Sequence, residues 1–171
     1  MSLLVGVGSY TDPWRPRIWE VVPNEFYRSR LLSPDELKGI NRKYGIKTVI
    51  SLMEDYPTNV LLESEIKTCK ELGLNFNKIG IRSAKELFDS KRIKKLMGIY
   101  QKEDGPFLVH CKHGSDRAGL ASLLYLWRVK KVPFKEAKKQ LSIKYGYIKI
   151  CHRDLNRLVE KLREAKDLDE I

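Results

Sequence analysis

The sequence predicts an α/β domain with a central, mostly parallel sheet of four or five strands and helices on both faces. Three observations lead there. Short β-branched or apolar runs alternate along the chain with segments of helical periodicity. The apolar runs are continuous rather than alternating with polar residues, as strands buried on both faces are. No repeat, low-complexity tract or linker interrupts the pattern over 171 residues, a length that suits one domain with a sizeable core.

Each element has its own warrant. The N-terminal stretch TDPWRPRIWEVVP is proline-rich and reads as a wrap on the domain surface, so residues 1–24 are expected as an extension and residues 25–171 as a single domain. Glu25 to Ser29, EFYRS, is an early strand. In SPDEL, Ser33 can cap a helix, Pro34 suits the first helical position and Glu36 completes a capping box; Gly45 should end that helix after Tyr44. IKTVISL, residues 46–52, is a buried strand. Residues 58–72 read as a helix stopped at Gly73, and residues 74–81 as a strand. A helix follows over residues 89–102, with Asp89 or Ser90 as cap. GPFLVH is a short buried strand, and AGLASLLYLWRV, apolar nearly all round, is a helix buried on most sides. Pro133 opens another helix, YGYI breaks it, and the last helix spans about residues 150–166, with Leu155, Leu158, Leu162 and Ala165 on one stripe.

Hydrophobic residues make up 42% and charged residues 32%, a globular balance. No apolar run approaches a membrane span, and the first residues lack the basic region of a secretory signal, so a cytoplasmic location is expected. Three cysteines, Cys69, Cys111 and Cys151, are too few for a disulfide framework. The net charge of +11 is uneven: residues 128–166 hold 13 Lys or Arg against 4 Asp or Glu. Such a field favours anionic partners, although a solvated helical face explains any single lysine.

The chemistry concentrates in HCKHGSDRAG, residues 110–119. This loop follows a buried strand and opens a buried helix. It therefore lies beyond the carboxyl end of the sheet, where ligands of such folds bind. A helix start presents unpaired N–H groups and the positive end of its dipole, which makes an anion site. Gly114 permits the tight turn that points successive amides inward. Arg117 can fork two donors onto phosphate oxygens. Oriented amides and a guanidinium also stabilise a thiolate, so Cys111 reads as a nucleophile rather than a buried thiol. Zinc is disfavoured: His110, Cys111 and His113 are too tightly spaced, and no second pair follows. No metal and no cofactor are expected. Cys69 and Cys151 read as small buried hydrophobes, and Trp14, Trp19 and Trp127 as packing residues with no nucleic-acid motif around them.

VHCKHGSDRAG resembles the signature loop of the cysteine-dependent protein tyrosine phosphatase superfamily: a strand, His-Cys, five residues, then an arginine leading a helix. FYRSRLLSPDEL and GIKTVISL are similar to the N-terminal half of small atypical dual-specificity phosphatases, and the likeness covers about residues 25–160. It implies a dual-specificity phosphatase-like fold and a two-step reaction: Cys111 attacks phosphorus, and water hydrolyses the phosphocysteine. A carboxylic acid would protonate the leaving oxygen and later activate the water. His110, Lys112, His113, Gly114 and Ser115 would line the substrate mouth, with His110 orienting the loop.

Two departures stand out. Most members of that superfamily carry Ser or Thr after the loop arginine, where this chain has Ala118; without that hydroxyl the second step is expected to be slow. The upstream loop that usually holds the acid reads RSAKELF, with no aspartate before Asp89. In myotubularin-like lipid phosphatases an aspartate precedes the loop arginine, and Asp116 occupies that position. Asp116 is the first candidate acid, Asp89 the second and Asp55 the third, against a loop-shaping role for Asp116. The basic last third and the Asp-Arg pair point to an inositol phosphate or phosphoinositide as substrate, with a phosphotyrosine protein as rival. A monomer is expected, without nucleic acid and with membrane contact only through a lipid substrate. A weakly active phosphate-binding module is the alternative of another class, and a nucleic-acid binder has charge alone in its favour.

Overall fold

The computed structural model describes residues 18–54, 60–82, 86, 89–147 and 153–164. Among these, five strands form one sheet in the order β1-β2-β5-β3-β4: β1 Ile18–Val22, β2 Phe26–Arg30, β3 Thr48–Ser51, β4 Asn75–Lys78 and β5 Phe107–Cys111. All neighbours are parallel except β1, which runs antiparallel to β2. The helices are α1 Pro34–Tyr44, α2 Val60–Glu71, α3 Ser90–Lys102, α4 Asp116–Leu124, α5 Phe134–Ala137 and α6 Arg153–Glu164. The expected α/β sheet is thus present. Residues 18–22, read from sequence as part of a surface wrap, contribute an edge strand instead. The reason is local: the prolines at 13, 16 and 23 flank this segment without entering it, so every residue of β1 keeps its N–H donor.

Side chains alternate across β5 and sort the core into two layers. Phe107, Val109 and Cys111 face a cluster with Phe26, Ile50 and residues of α3, α4 and α6. Leu108 faces the opposite cluster with Tyr27, Val49, Leu37 and Ile40 of α1, and Cys69 of α2. Thus α1 and α2 cover one face, and α3, α4 and α6 the other.

The predicted caps form. Ser33 accepts from the Glu36 amide while the Glu36 carboxylate accepts from the Ser33 amide, and Gly45 closes α1 at φ 59°. Asp89 caps α3, accepting from the Lys91 amide at 3.1 Å. The long apolar helix begins two residues earlier than its apolar run, at Asp116, and widens into a π-turn over Tyr125–Val129. There Tyr125 stacks on Phe26 at 4.2 Å, and its hydroxyl donates to the Glu25 carboxylate. The YGYI segment brings Tyr145 into the core and turns at Gly146, φ 78°.

Leu155, Val159 and Leu162 of α6 are buried against the α4 layer, so the last described helix is part of the core. Leu162→Ala should cost about 2–5 kcal/mol of unfolding free energy by urea titration. Exposed Lys161 on the same helix should change stability by no more than about 0.5 kcal/mol when replaced by alanine.

Candidate active site

Parallel pairing brings the carboxyl ends of β2, β5 and β3 together. Arg30 lies opposite Cys111 across the β2–β5 pair, and Ser51 opposite His110 across β3–β5. The loop from Lys112 to Ser115 leaves β5 at this edge and enters α4. Gly114 adopts φ 75° and lies directly on the end of β2; a Cβ there would sit 2.7 Å from the Ser29 carbonyl carbon and 2.8 Å from the Arg30 nitrogen. Only glycine satisfies both the dihedral and the approach.

Cys111 lies at the foot of the loop, 2% exposed, and the Gly114 amide donates to its Sγ at 3.3 Å. Arg117 is in the first turn of α4, where Nη1 donates to the Leu52 carbonyl at 3.1 Å and the Ile81 carbonyl at 2.8 Å. These carbonyls follow β3 and β4, so the guanidinium is braced by two strand ends. The arrangement suits a group that must meet an anion in a fixed orientation. Lys112 and His113 are exposed at the mouth, and Ser115 is half-buried at the start of α4.

His110 is fully buried, with its Nε2 3.0 Å from Oε1 of Glu65, itself 1% exposed on α2. The His110 carbonyl accepts from the Leu52 amide at 2.9 Å. The residue therefore anchors the strand end beside Cys111, in keeping with a loop-orienting role. Cys69 lies in the opposite layer from Cys111, and burial, with a smaller effect of Glu65, pushes its thiol up to about 12. It is a neutral packing residue. Cys151 lies outside the described residues.

Of the candidate acids, Asp116 opens α4 next to Arg117, with Oδ1 shielded from solvent. Its charge acts on Arg28 and on Tyr147, whose hydroxyl burial pushes up to about 12 with Asp116 adding to the rise. Asp89 is engaged as the α3 cap and in an ion pair with Arg92 at 3.3 Å. Asp55 lies outside the described residues.

Sequence reasoning missed a cation beneath the loop. Arg28 of β2 is 0% exposed and makes five hydrogen bonds. Its Nη2 donates to the Gly114 carbonyl at 2.6 Å and the Ser115 carbonyl at 2.7 Å, and its Nε to Gly114 at 3.2 Å. Its Nη1 donates to the Gln140 carbonyl at 2.7 Å and to Gln140 Oε1 at 3.2 Å. The guanidinium carbon lies 4.5 Å from the Tyr145 ring and 5.8 Å from the Trp19 ring. Burial pulls this guanidinium down to about 10, opposed by the charges of Cys111, Tyr145 and Asp116, so it stays a cation at neutral pH. Gly119 leaves room for it: a Cβ there would meet Leu141 Cδ2 at 2.9 Å, Arg28 Nη2 at 3.0 Å and the Gln140 carbonyl at 3.1 Å.

No protein-family model and no curated protein matches this chain, but solved structures do. A structure of TpbA from P. aeruginosa shares 21% identity at a TM-score of 0.61, covering 89% of this chain and 86% of that one. PTPMT1 in complex with PI(5)P shares 16% identity at a TM-score of 0.56, covering 86% and 99%. The catalytic domain of the PP-IP phosphatase SIW14 from S. cerevisiae shares 18% identity at a TM-score of 0.54, covering 90% and 80%. The chain therefore has the fold of the atypical, protein tyrosine phosphatase-like phosphatases.

Proposed function

We propose that this protein is a cysteine-dependent phosphomonoesterase whose substrate is an inositol phosphate or a phosphoinositide. The observation that carries the reading is Cys111 Sγ at the foot of a loop whose Gly114 amide already points at the sulfur, with Arg117 braced beside it. A tetrahedral dianion in that loop would have the sulfur behind phosphorus, in line with the leaving oxygen. The Cys111 thiolate then forms the S–P bond as the P–O bond to the leaving alcohol breaks, and that oxygen takes a proton from Asp116. Water, deprotonated by the same carboxylate, attacks phosphorus and returns the thiolate. His110, held by Glu65, keeps the strand end in register, while Lys112 and His113 offer contacts to further anionic groups of the substrate.

The substrate class draws on charge and on likeness. The basic last third attracts dense anions, and among the fold relatives SIW14 is a PP-IP phosphatase and PTPMT1 has been solved with PI(5)P. A phosphotyrosine protein is the second reading, favoured by TpbA, solved in complex with pTyr.

Cys111→Ser should abolish phosphate release from inositol hexakisphosphate while retaining substrate binding by calorimetry, because serine lacks a readily formed anion while the amides remain. Activity close to wild type would exclude Cys111 as the nucleophile. Arg117→Lys should also be severe, since an ammonium cannot reproduce the planar fork.

Salt separates recruitment from surface charge. Activity on inositol hexakisphosphate should fall more steeply with added sodium chloride than activity on para-nitrophenyl phosphate. Equal slopes would leave the basic face as a solvated surface.

Leaving-group dependence identifies the acid. Asp116→Asn should lower hydrolysis of inositol phosphates by a factor on the order of 10² to 10⁴ and change the acidic limb of the rate profile, while sparing para-nitrophenyl phosphate, whose leaving group needs little protonation. Asp89→Asn should cost at most about 1 kcal/mol of stability as a cap change. The reverse pattern would assign the acid to Asp89 and a loop-shaping role to Asp116.

A further inference from the structure

We propose that Arg28 is a positioning residue for this chemistry: it turns the amides of Ser115 and Asp116 toward the bound phosphate and lends its charge to the loop from beneath. The inference rests on reading the loop as a phosphate site.

The geometry of the peptide bond carries the first half. The carbonyl of one residue and the N–H of the next point to opposite sides of a planar unit. Arg28 holds the carbonyl oxygens of Gly114 and Ser115, at 2.6 and 2.7 Å through Nη2. The N–H groups on the other side of those peptides are those of Ser115 and Asp116, so fixing the carbonyls downward fixes these donors upward. Unrestrained, a glycine-containing loop samples many peptide orientations, and an anion would have to order them at its own expense.

The acceptor set carries the second half. A buried guanidinium is ordinarily neutralised by a carboxylate. Here all five hydrogen bonds go to neutral oxygens, four to backbone carbonyls and one to the Gln140 amide. The charges of Cys111, Tyr145 and Asp116 also act on the guanidinium, and its hydrogen bonds polarise the loop peptides toward whatever anion the loop holds. A purely structural staple between β2 and the Gln140 segment would need only the Nη1 bonds. The three bonds to consecutive loop carbonyls are what that explanation leaves over.

The test measures binding of tungstate, a tetrahedral dianion shaped like phosphate, by titration calorimetry. Arg28→Lys keeps a charge but cannot span these acceptors. Gly119→Ala keeps the guanidinium and displaces it, because the new Cβ meets Nη2 at 3.0 Å. Both should weaken tungstate at least about tenfold, whereas Leu162→Ala, which truncates a core residue outside the loop and its Arg28 contacts, should stay within about twofold of wild type. In the wild-type protein, tungstate should move the amide proton resonances of Ser115 and Asp116 downfield, a readout that needs no variant to fold. Wild-type affinity in folded Arg28→Lys or Gly119→Ala would overturn the proposal. So would unmoved Ser115 and Asp116 amides, or an equal loss in Leu162→Ala. If wild type binds no tungstate at all, the phosphate-site reading itself fails, and this proposal with it.

Discussion

A single buried cation joins the parts of this molecule that matter for its chemistry. Arg28 rises from β2, carries no exposed surface, and donates to the loop after β5 and to the Gln140 segment. Removing a guanidinium from water costs several kcal/mol unless its donors are met, so every element that meets them is constrained by the others. Trp19 of β1 and Tyr145 meet edge to face beside the guanidinium, Gly119 gives it space, and Gly114 lets the loop come down onto the end of β2. The edge strand, the loop, the first turns of α4 and the segment before Gly146 are parts of one arrangement around one side chain.

The sheet supplies the frame for that arrangement. Parallel pairing of β2, β5, β3 and β4 aligns their carboxyl ends, and each strand end gives the site something different. β5 gives Cys111, the carbonyls after β3 and β4 brace Arg117, and the end of β2 is the floor under Gly114. The buried His110 of β5 lies 3.0 Å from Glu65 of α2 on the opposite face. Arg117 and Arg28 thus meet the loop in different ways, the first braced on strand-end carbonyls and the second bonded to the loop backbone.

What was legible in the sequence was local. The Ser33–Glu36 capping box, Gly45, the Asp89 cap and the strand–loop–helix around Cys111 are encoded within a few residues of each other, and all form. What was illegible depended on distance along the chain. Arg28 lies 86 positions before its Gly114 acceptor and 112 before Gln140, so in the sequence it is one polar residue in a short strand. Glu65 reads as a surface residue of α2 until His110 is placed beside it. The edge strand β1 was hidden by the prolines around it, and its pairing partner, β2, was the only thing that could reveal it. Gly119 was hidden too: it sits in an apolar helix, and its smallness answers to a side chain from another strand.

The proposed chemistry turns on covalent transfer to sulfur. Ala118 is fully buried; most members of the superfamily that the loop resembles carry a hydroxyl there, and without it the thiolate is expected to leave phosphorus less readily. The intermediate should therefore accumulate. The most direct measurement is intact-protein mass spectrometry after acid quench of a single turnover with inositol hexakisphosphate, with peptide mapping of any adduct. The account predicts one added phosphoryl group, located on Cys111. Substrate consumed with no covalent adduct at any time, or an adduct on another residue, would contradict it.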